Sequence, residues 1–423
     1  MNLFEELRAR GLVQDVMPGT EDLFEKEQVT AYIGFDPTAD SLHVGNLGSL
    51  MLLVFLQKHG HKPVALIGGA TGMIGDPSGK SAERNLLDED TLKHNMAGVL
   101  AQFKKLLDFD TPDNPAIILN NYDWFKDFNT LDFLRQVGKH LTVNYMLAKD
   151  SVKNRIETGI SFTEFSYQLI QGYDFYYQYK HHGVKVQMGG SDQWGNITAG
   201  AELIRRMQGG EAFAFTCPLI TKADGSKFGK SESGNVWLDR EKTSPYKFYQ
   251  FWLNASDEDA AMLIKRFTLL PLTEIDSLIE QHAQAPHERL LQKTLAREVT
   301  VAVHGEAAWE HAVNASAIMF KGTREQLMAL DKQSLLEVLE GVPTHQLRRN
   351  SHDDTLDVVS FLSTETGILP SKSEATRALK QNSISINNEK VGLEKEISRS
   401  DLLNDEFILV QKGKKNKYLV IVA

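Results

Sequence analysis

The chain has 423 residues, more than one ordinary core accommodates, so two to three domains are expected. Apolar content of 42% and charged content of 24% exclude a disordered or fibrous class, and the longest apolar run, residues 47–56, is far short of the roughly 20 residues a membrane-crossing helix needs. A net charge of −10 argues against a nucleic-acid coat over the whole surface, and the lone Cys217 excludes an internal disulfide and a cysteine-only zinc site.

Residues 1–8 mix acids and bases with apolar residues at helical spacing and lack the basic start and apolar core of a signal peptide, so a cytoplasmic protein without membrane attachment is expected. Residues 29–35 form a short β-branched and aromatic run, the pattern of a buried strand. The loop Asp36-Pro-Thr-Ala-Asp-Ser-Leu-His-Val-Gly-Asn46 follows, then a leucine-rich helix over 47–58 and a second strand over 62–68. Strand, helix and strand at this spacing predict a parallel βαβ unit. Further short strands at 116–119 and 184–188 extend it to a Rossmann-like, doubly wound α/β domain over 1–225. The 36–46 loop therefore lies at a strand's carboxyl end and a helix's amino end, where free N–H groups favour a phosphate. An ordinary helix cap explains it equally well.

Farther along, Tyr167, Gln171 and Asp174 fall at i, i+4 and i+7 and share one helix face. Phe162, Phe165, Leu169 and Tyr173 form a separate stripe expected to anchor that helix in the core. Cys217 lies in an apolar run and reads as a small core residue. Lys222, Lys227 and Lys230 then crowd a glycine-containing segment, 221–231, too polar for core. Mobile lysines suit a polyphosphate whose charge rises during transfer, although an exposed turn fits too. Helical spacing dominates 244–320, within a helical region expected over 226–325. A linker is expected over 326–353 and a small α+β domain over 354–423. From residue 371 onward ten Lys/Arg meet seven Asp/Glu, a local charge of +3. Lys412, Lys414, Lys415 and Lys417 carry the excess, as a solvated tail or as an RNA contact.

His43-Val-Gly-Asn46 and Lys227-Phe-Gly-Lys-Ser231 resemble the two signatures of class I aminoacyl-tRNA synthetases in order, separation and placement. The strings Tyr-Ile-Gly-Phe-Asp-Pro-Thr (32–38), Gly-Gly-Ala-Thr-Gly-Met-Ile-Gly-Asp-Pro-Ser (68–78), Ser-Phe-Thr-Glu-Phe-Ser-Tyr (161–167) and Gly-Gly-Ser-Asp-Gln-Trp-Gly-Asn-Ile (189–197) tighten the match to bacterial-type tyrosyl-tRNA synthetases. The resemblance covers essentially the whole chain. It departs at Asn46, where the usual signature ends in histidine, so the second histidine's part falls more heavily on His43.

The resemblance implies a tyrosine–tRNA ligase that uses ATP with Mg²⁺, holds no protein-ligated metal and forms a homodimer, with residues 139–146 at the interface. Tyrosine's phenol would meet Tyr32 and Asp174. Its ammonium group would meet Tyr167, Gln171 and Asp76, with Gln187 and Gln193 also on the amino acid. Gly34, Asp36, His43, Gly45, Gly190, Asp192 and Lys230 would take ATP. Thr38, His43, Asn46, Lys80, Arg84, Lys227, Lys230 and Ser231 would stabilise the phosphoryl transfer. The terminal domain resembles a small ribosomal-protein RNA-binding module, so Arg377, Lys380 and the late lysines would contact tRNA phosphates. No segment is long enough to be an editing domain. A tryptophanyl enzyme shares the fold and chemistry, and an RNA-binding protein that had lost catalysis would share the fold alone.

Overall fold

The computed structural model describes residues 1–78, 87–149, 152–153, 159–223, 225, 228–231, 234–340, 342–347, 355–413 and 416–422, with backbone only at 230–231 and 319–321. The chain divides into two compact units, residues 1–243 with 250–303 and residues 244–249 with 304–423. Among the described residues no helix is long and apolar enough to cross a membrane.

The first unit is built on strands β1 (Thr30–Phe35), β2 (Lys62–Ile67), β3 (Ile117–Asn120), β4 (Val186–Gly190) and β5 (Phe213–Cys217). Their order is β3-β2-β1-β4-β5 and every pair is parallel, in agreement with the doubly wound expectation. The chain moves outward from β1 to β3 and then returns to β1's other side. A crevice therefore opens beyond the carboxyl ends of β1 and β4, where such sheets bind ligands. Residues 14–17 run antiparallel along β5, with Gln14 N–H on the Thr216 carbonyl at 2.7 Å and Met17 N–H on that of Ala214 at 2.9 Å. This pairing removes β5 as an open edge. Buried Cys217 ends that strand as the apolar residue expected, its thiol pushed up to about 11 by burial.

Helix α1 (Val44–Lys58) follows β1 and is buried along most of its length, as its leucines require. Helix α2 (Glu89–Leu106) grips the intervening loop with one face. Asn95 donates to the Pro37 carbonyl at 2.9 Å, while Gln102 accepts from Leu42 N–H and donates to the Ser41 hydroxyl, each at 2.8 Å. Between them, a Cβ on Gly98 would lie 1.9 Å from the Asp40 carbonyl oxygen, so only glycine lets the loop sit this close.

Helix α3 (Phe162–His182) carries the polar face nominated from sequence and packs on α4 (Trp194–Gln208), Gly172 facing Gly200. Of the expected apolar anchor, Phe165, Leu169 and Tyr173 pack with Val137, Leu141 and Met146. Phe162 does not: it is the first helical residue and is 75% exposed. At the amino terminus, buried Arg10 bonds Glu6 and donates to the carbonyls of Lys265, Thr268 and Leu270, tying the first helix, Leu3–Ala9, to the end of helix Asp257–Phe267.

The second unit ends in a mixed sheet of β6 (Thr344–Leu347), β7 (Ile384–Ile386), β8 (Glu389–Lys390), β9 (Phe407–Lys412) and β10 (Asn416–Val422), in the order β8-β7-β9-β10-β6. Only β6 on β10 is parallel. Here the structure departs from the expected linker over 326–353. That stretch holds most of helix Arg324–Met328, all of helix Lys332–Val338 and strand β6, while 341 and 348–353 lie outside the described residues. Leu327, Leu335 and Leu339 bury against Leu403, Phe407, Leu409 and Leu419. Elements of one or two turns show too few periods to register as helical, yet three leucines suffice to dock them. The helical region expected over 226–325 is likewise divided: helices Asp257–Phe267 and Leu272–Gln284 lie in the first unit and Glu306–Lys321 in the second.

Candidate active site

A cavity of about 800 Å³ opens at the β1/β4 crevice. The described residues nominated from this part of the sequence all line it: Tyr32, Gly34, Asp36, Thr38, His43, Gly45, Asn46, Asp76, Tyr167, Gln171, Asp174, Gln187, Gly190, Asp192 and Gln193. Register explains part of this convergence, since Tyr32 of β1 lies beside Gln187 of β4.

At the deep end Asp174 is 1% exposed, and its carboxylate accepts from Asn121 Nδ2 and Trp124 Nε1, each at 2.9 Å. Burial pushes its carboxyl up to about 8, against the pull of those two hydrogen bonds. Tyr32 is also 1% exposed, and its hydroxyl has no hydrogen-bond partner in the structure. The buried carbonyl oxygens of Gln171 and Gln187 are likewise unpartnered. Buried polar atoms are rarely left unpaired, because desolvation without a bond costs about 1–3 kcal/mol each. Burial, with the Asp174 charge second, raises the Tyr32 phenol well above its usual range. Tyr32 therefore stays a donor.

Toward the mouth, Tyr167 donates to Asp36 Oδ2 at 2.9 Å and Thr71 to Asp36 Oδ1 at 2.7 Å. Asp36 was nominated for ATP, and the structure sets its carboxylate on Tyr167, among the amino-acid candidates. Since the Tyr167 hydroxyl gives its proton to Asp36, its lone pairs face the cavity as acceptors. Asn121, fully buried, joins the two ends: its amide donates at 2.9 Å both to Thr71 Oγ1 and to Asp174. Asp76 accepts from Gln193 Nε2 at 2.7 Å and from Ser78 N–H at 2.9 Å. Asp192 is solvent-exposed at the mouth, but the walls around it, and then the Asp76 charge, still raise its carboxyl. Among the described lining residues the carboxyl side chains are these four aspartates; Asp174 is held protonated toward neutral pH, and the other three give a field that favours a bound cation.

The first signature folds as a helix cap that faces the cavity. His43 is the N-cap of α1, and its Nδ1 accepts from Gly45 N–H at 3.0 Å. Asn46 Oδ1 accepts in return from His43 N–H at 3.1 Å, completing a reciprocal capping box. The residue that departs from the signature therefore holds the turn. Because Nδ1 accepts, the neutral imidazole carries its proton on Nε2 and can donate from there to a phosphoryl oxygen.

In the second signature, Phe228 sits among Phe251, Trp252 and Phe267, stacking on Phe267 with ring centroids 5.7 Å apart. Lys230–Ser231 pairs antiparallel with Gly234–Asn235. Lys80, Arg84 and Lys227 lie outside the described residues. In the second unit, Arg377 and Lys380 are exposed on helix α5 (Lys372–Lys380), whose other face buries Ala375, Ala378 and Leu379. Lys412 pairs with Glu374 at 2.8 Å, and partial burial lowers the Lys417 ammonium. Lys414 and Lys415 lie outside the described residues. Sequence reasoning missed Thr71, Asn121 and Trp124 as members of the network, and Asn196, whose amide donates to Ser78 Oγ at 3.1 Å and Gln193 Oε1 at 3.3 Å. The polar run Asn120-Asn121-Tyr-Asp-Trp124 after a buried strand is the signal that could have found two of them.

The family description tRNA synthetases class I (W and Y) matches residues 25–321, and the tyrosine–tRNA ligase SYY-like C-terminal domain matches residues 334–421. The tyrosine–tRNA ligase of Bacteroides thetaiotaomicron is 58% identical over the whole of both chains, and that of Porphyromonas gingivalis is 57% identical over the same span. Among solved structures, a C-terminally truncated mitochondrial tyrosyl-tRNA synthetase from Aspergillus nidulans superposes with a TM-score of 0.69 at 32% identity, covering 75% of this chain and 94% of that one. With this cavity and these relatives, the chain belongs to the class I tRNA synthetases of the tryptophan and tyrosine group, and within them to the tyrosine–tRNA ligase family.

Proposed function

We propose that this tyrosine–tRNA ligase works in two steps in the cytoplasm and needs no editing. In the first, a tyrosine carboxylate oxygen attacks the α-phosphorus of ATP. The bond to the bridging oxygen breaks, pyrophosphate leaves, and tyrosyl-adenylate stays bound. A carboxylate is already a nucleophile at neutral pH, so no general base is needed, and positioning with charge stabilisation carries the step. His43, with its donor on Nε2, Thr38 at the exposed mouth, and Lys80, Arg84, Lys227 and Lys230 serve the phosphates. Asn46 contributes by holding the cap, and Ser231 by extending the lysine-bearing hairpin. Gly34, Gly45, Gly190 and Asp192 take the nucleotide, and Mg²⁺ arrives on its phosphates rather than in a protein cage. In the second step the 3′-terminal ribose hydroxyl of tRNA attacks the adenylate carbonyl, releasing AMP and a proton.

The observation that carries the reading is the unpartnered Tyr32 hydroxyl beside buried Asp174 at the end of the cavity. A phenol satisfies both at once, accepting from Tyr32 and donating to Asp174. Phenylalanine leaves the Tyr32 hydroxyl unpaired and gives Asp174 no hydroxyl to bond, and tyrosyl enzymes are the standard example of that asymmetry, which removes the need for editing. An indole offers only a donor and leaves Tyr32 unanswered. Tyr167, Gln171 and Asp76 then receive the ammonium group.

Arg377 and Lys380, exposed on one helix, fit phosphate contacts that position tRNA. A homodimer is supported by the exposed Leu131, Leu134, Val143 and Phe162, at 78%, 46%, 59% and 75%, which cluster in sequence around the expected interface. ATP–pyrophosphate exchange with tyrosine, tryptophan and phenylalanine tests the central claim. Stimulation by tyrosine alone is expected, and equal stimulation by tryptophan would overturn it. Light scattering on the purified protein at micromolar concentration tests the dimer, a monomeric mass refuting it.

A further inference from the structure

We infer that Trp237 is a positioning residue for adenylate formation, setting His43 in register with the lysine-bearing hairpin of the second signature. The inference rests on the reading that His43 serves phosphoryl transfer. Val44 N–H donates to the Val236 carbonyl and Leu238 N–H to the Leu42 carbonyl, each at 2.9 Å. These two bonds bracket His43 and Trp237 as an antiparallel, non-hydrogen-bonded pair, the geometry that stands two side chains next to each other on one face. Their ring centroids are 5.9 Å apart at 63°, an edge-to-face contact, and both residues line the cavity.

The indole is fixed from its other neighbours as well. Lys242 Nζ lies 5.6 Å from its centroid, and that ammonium bonds Asp40, a member of the first signature loop, at 2.7 Å. The Trp237 backbone N–H is held by the Thr243 hydroxyl at 2.9 Å. Beside the two backbone bonds, side chains thus join the loops at His43 and Trp237 and again at Asp40 and Lys242. The hairpin hangs directly from this junction. Val236 N–H donates to the Gly229 carbonyl at 3.0 Å, and the strands 230–231 and 234–235 continue from there. Gly229 has φ +89°, and a Cβ on it would lie 3.2 Å from the Gly45 amide nitrogen, so the glycines of the two signatures rest on each other. A displacement at Trp237 therefore moves His43 and the root of the Lys230 strand together. Small misplacements of this kind lower turnover rather than substrate affinity.

The simpler alternative is that a half-buried indole fills space at a loop junction. Single-turnover adenylate formation and tyrosine binding by equilibrium dialysis on the full-length protein separate the two, using Trp237→Ala, Trp237→Phe and both in a His43→Ala background. Expected is a fall of about 10-fold or more in the rate for Trp237→Ala with tyrosine Kd within about 2-fold, and recovery to within about 3-fold for Trp237→Phe. In the His43→Ala background, Trp237→Ala should cost clearly less than in the wild type, because the share of its effect that runs through His43 is gone and only the share that runs through the Lys230 strand remains. A full, multiplicative loss in that background, an unchanged rate for Trp237→Ala, or a tyrosine Kd weakened as much as the rate would each overturn the inference. Absence of tyrosine-dependent exchange in the wild type would instead sink the functional reading beneath it.

Discussion

Replacing Asp174 with asparagine is expected to stabilise the fold at alkaline pH while disabling the use of tyrosine. The folded protein raises this carboxyl from 3.8 to about 8, so between those values the native state keeps a proton that the unfolded chain has released. Stability attributable to the group is then greatest below about pH 4 and falls as pH climbs to about 8, at about 1.4 kcal/mol per pH unit. Between pH 5.5 and 8.5 the wild type should lose about 3 kcal/mol that an asparagine variant does not. Asparagine is nearly isosteric, and any mismatch its amide makes with Asn121, whose oxygen is already held by Ala70 N–H at 2.6 Å, is the same at every pH. The Tm of the variant relative to wild type should therefore rise by several degrees on going from pH 5.5 to 8.5, at about 2 °C or more per kcal/mol for a unit of this size. Over the same range kcat/KM for tyrosine in exchange should drop about 10-fold, as the carboxyl's hydrogen bond to the substrate phenol is lost. Scanning calorimetry in paired buffers provides the measurement. A Tm difference that is constant with pH, or larger at pH 5.5, would refute the assignment of a raised carboxyl to this site.

Three further outcomes are expected. Tyr32→Phe should weaken tyrosine by about 1–2 kcal/mol and leave phenylalanine nearly unchanged, narrowing discrimination about 10-fold in competitive exchange assays. Unaltered discrimination would remove Tyr32 from the phenol-reading pair. For Glu6, burial opposes ionisation, but hydrogen bonds from His59, Arg10 and Lys58 win and bring its carboxyl down from 4.5 to about 2. That stabilisation is complete above about pH 4.5 and disappears as pH falls toward 2, so Glu6→Gln should lower Tm at pH 7 and much less at pH 3, by circular dichroism. Arg377→Ala with Lys380→Ala should raise KM for tRNA several-fold in aminoacylation, more at low than at high salt, with exchange unaffected. A loss of exchange would mean that the two residues matter for the fold of the catalytic unit.

Much of the site could be read in the sequence because its members are local in period or string. Tyr167, Gln171 and Asp174 meet through helical spacing, and His43 to Asn46 through the geometry of a helix start. Asn121 and Trp124 escaped because their partner, Asp174, is 50 or more residues away, and no local pattern marks such a contact. Phe162 obeyed the apolar stripe yet is exposed at the helix's first position, since periodicity gives a face and not what covers each turn of it. The expected linker failed for a related reason. Leu327, Leu335 and Leu339 sit on pieces one or two turns long, and strand β6 earns its place only by pairing with β10, more than 70 residues later. The Asn46 departure was visible at once. Its meaning, a reciprocal cap for His43, required coordinates.

Asn121 makes the two ends of the cavity one object. Its amide touches Asp174, proposed to read the phenol, and Thr71, which steadies Asp36 and through it Tyr167, proposed to take the ammonium. Anyone retargeting this enzyme to an unnatural amino acid by opening the Asp174 end should find that side-chain preference and backbone recognition are not independent design variables. Libraries that vary position 174 together with 71 and 121 should yield working variants where libraries confined to the deep end yield inactive ones.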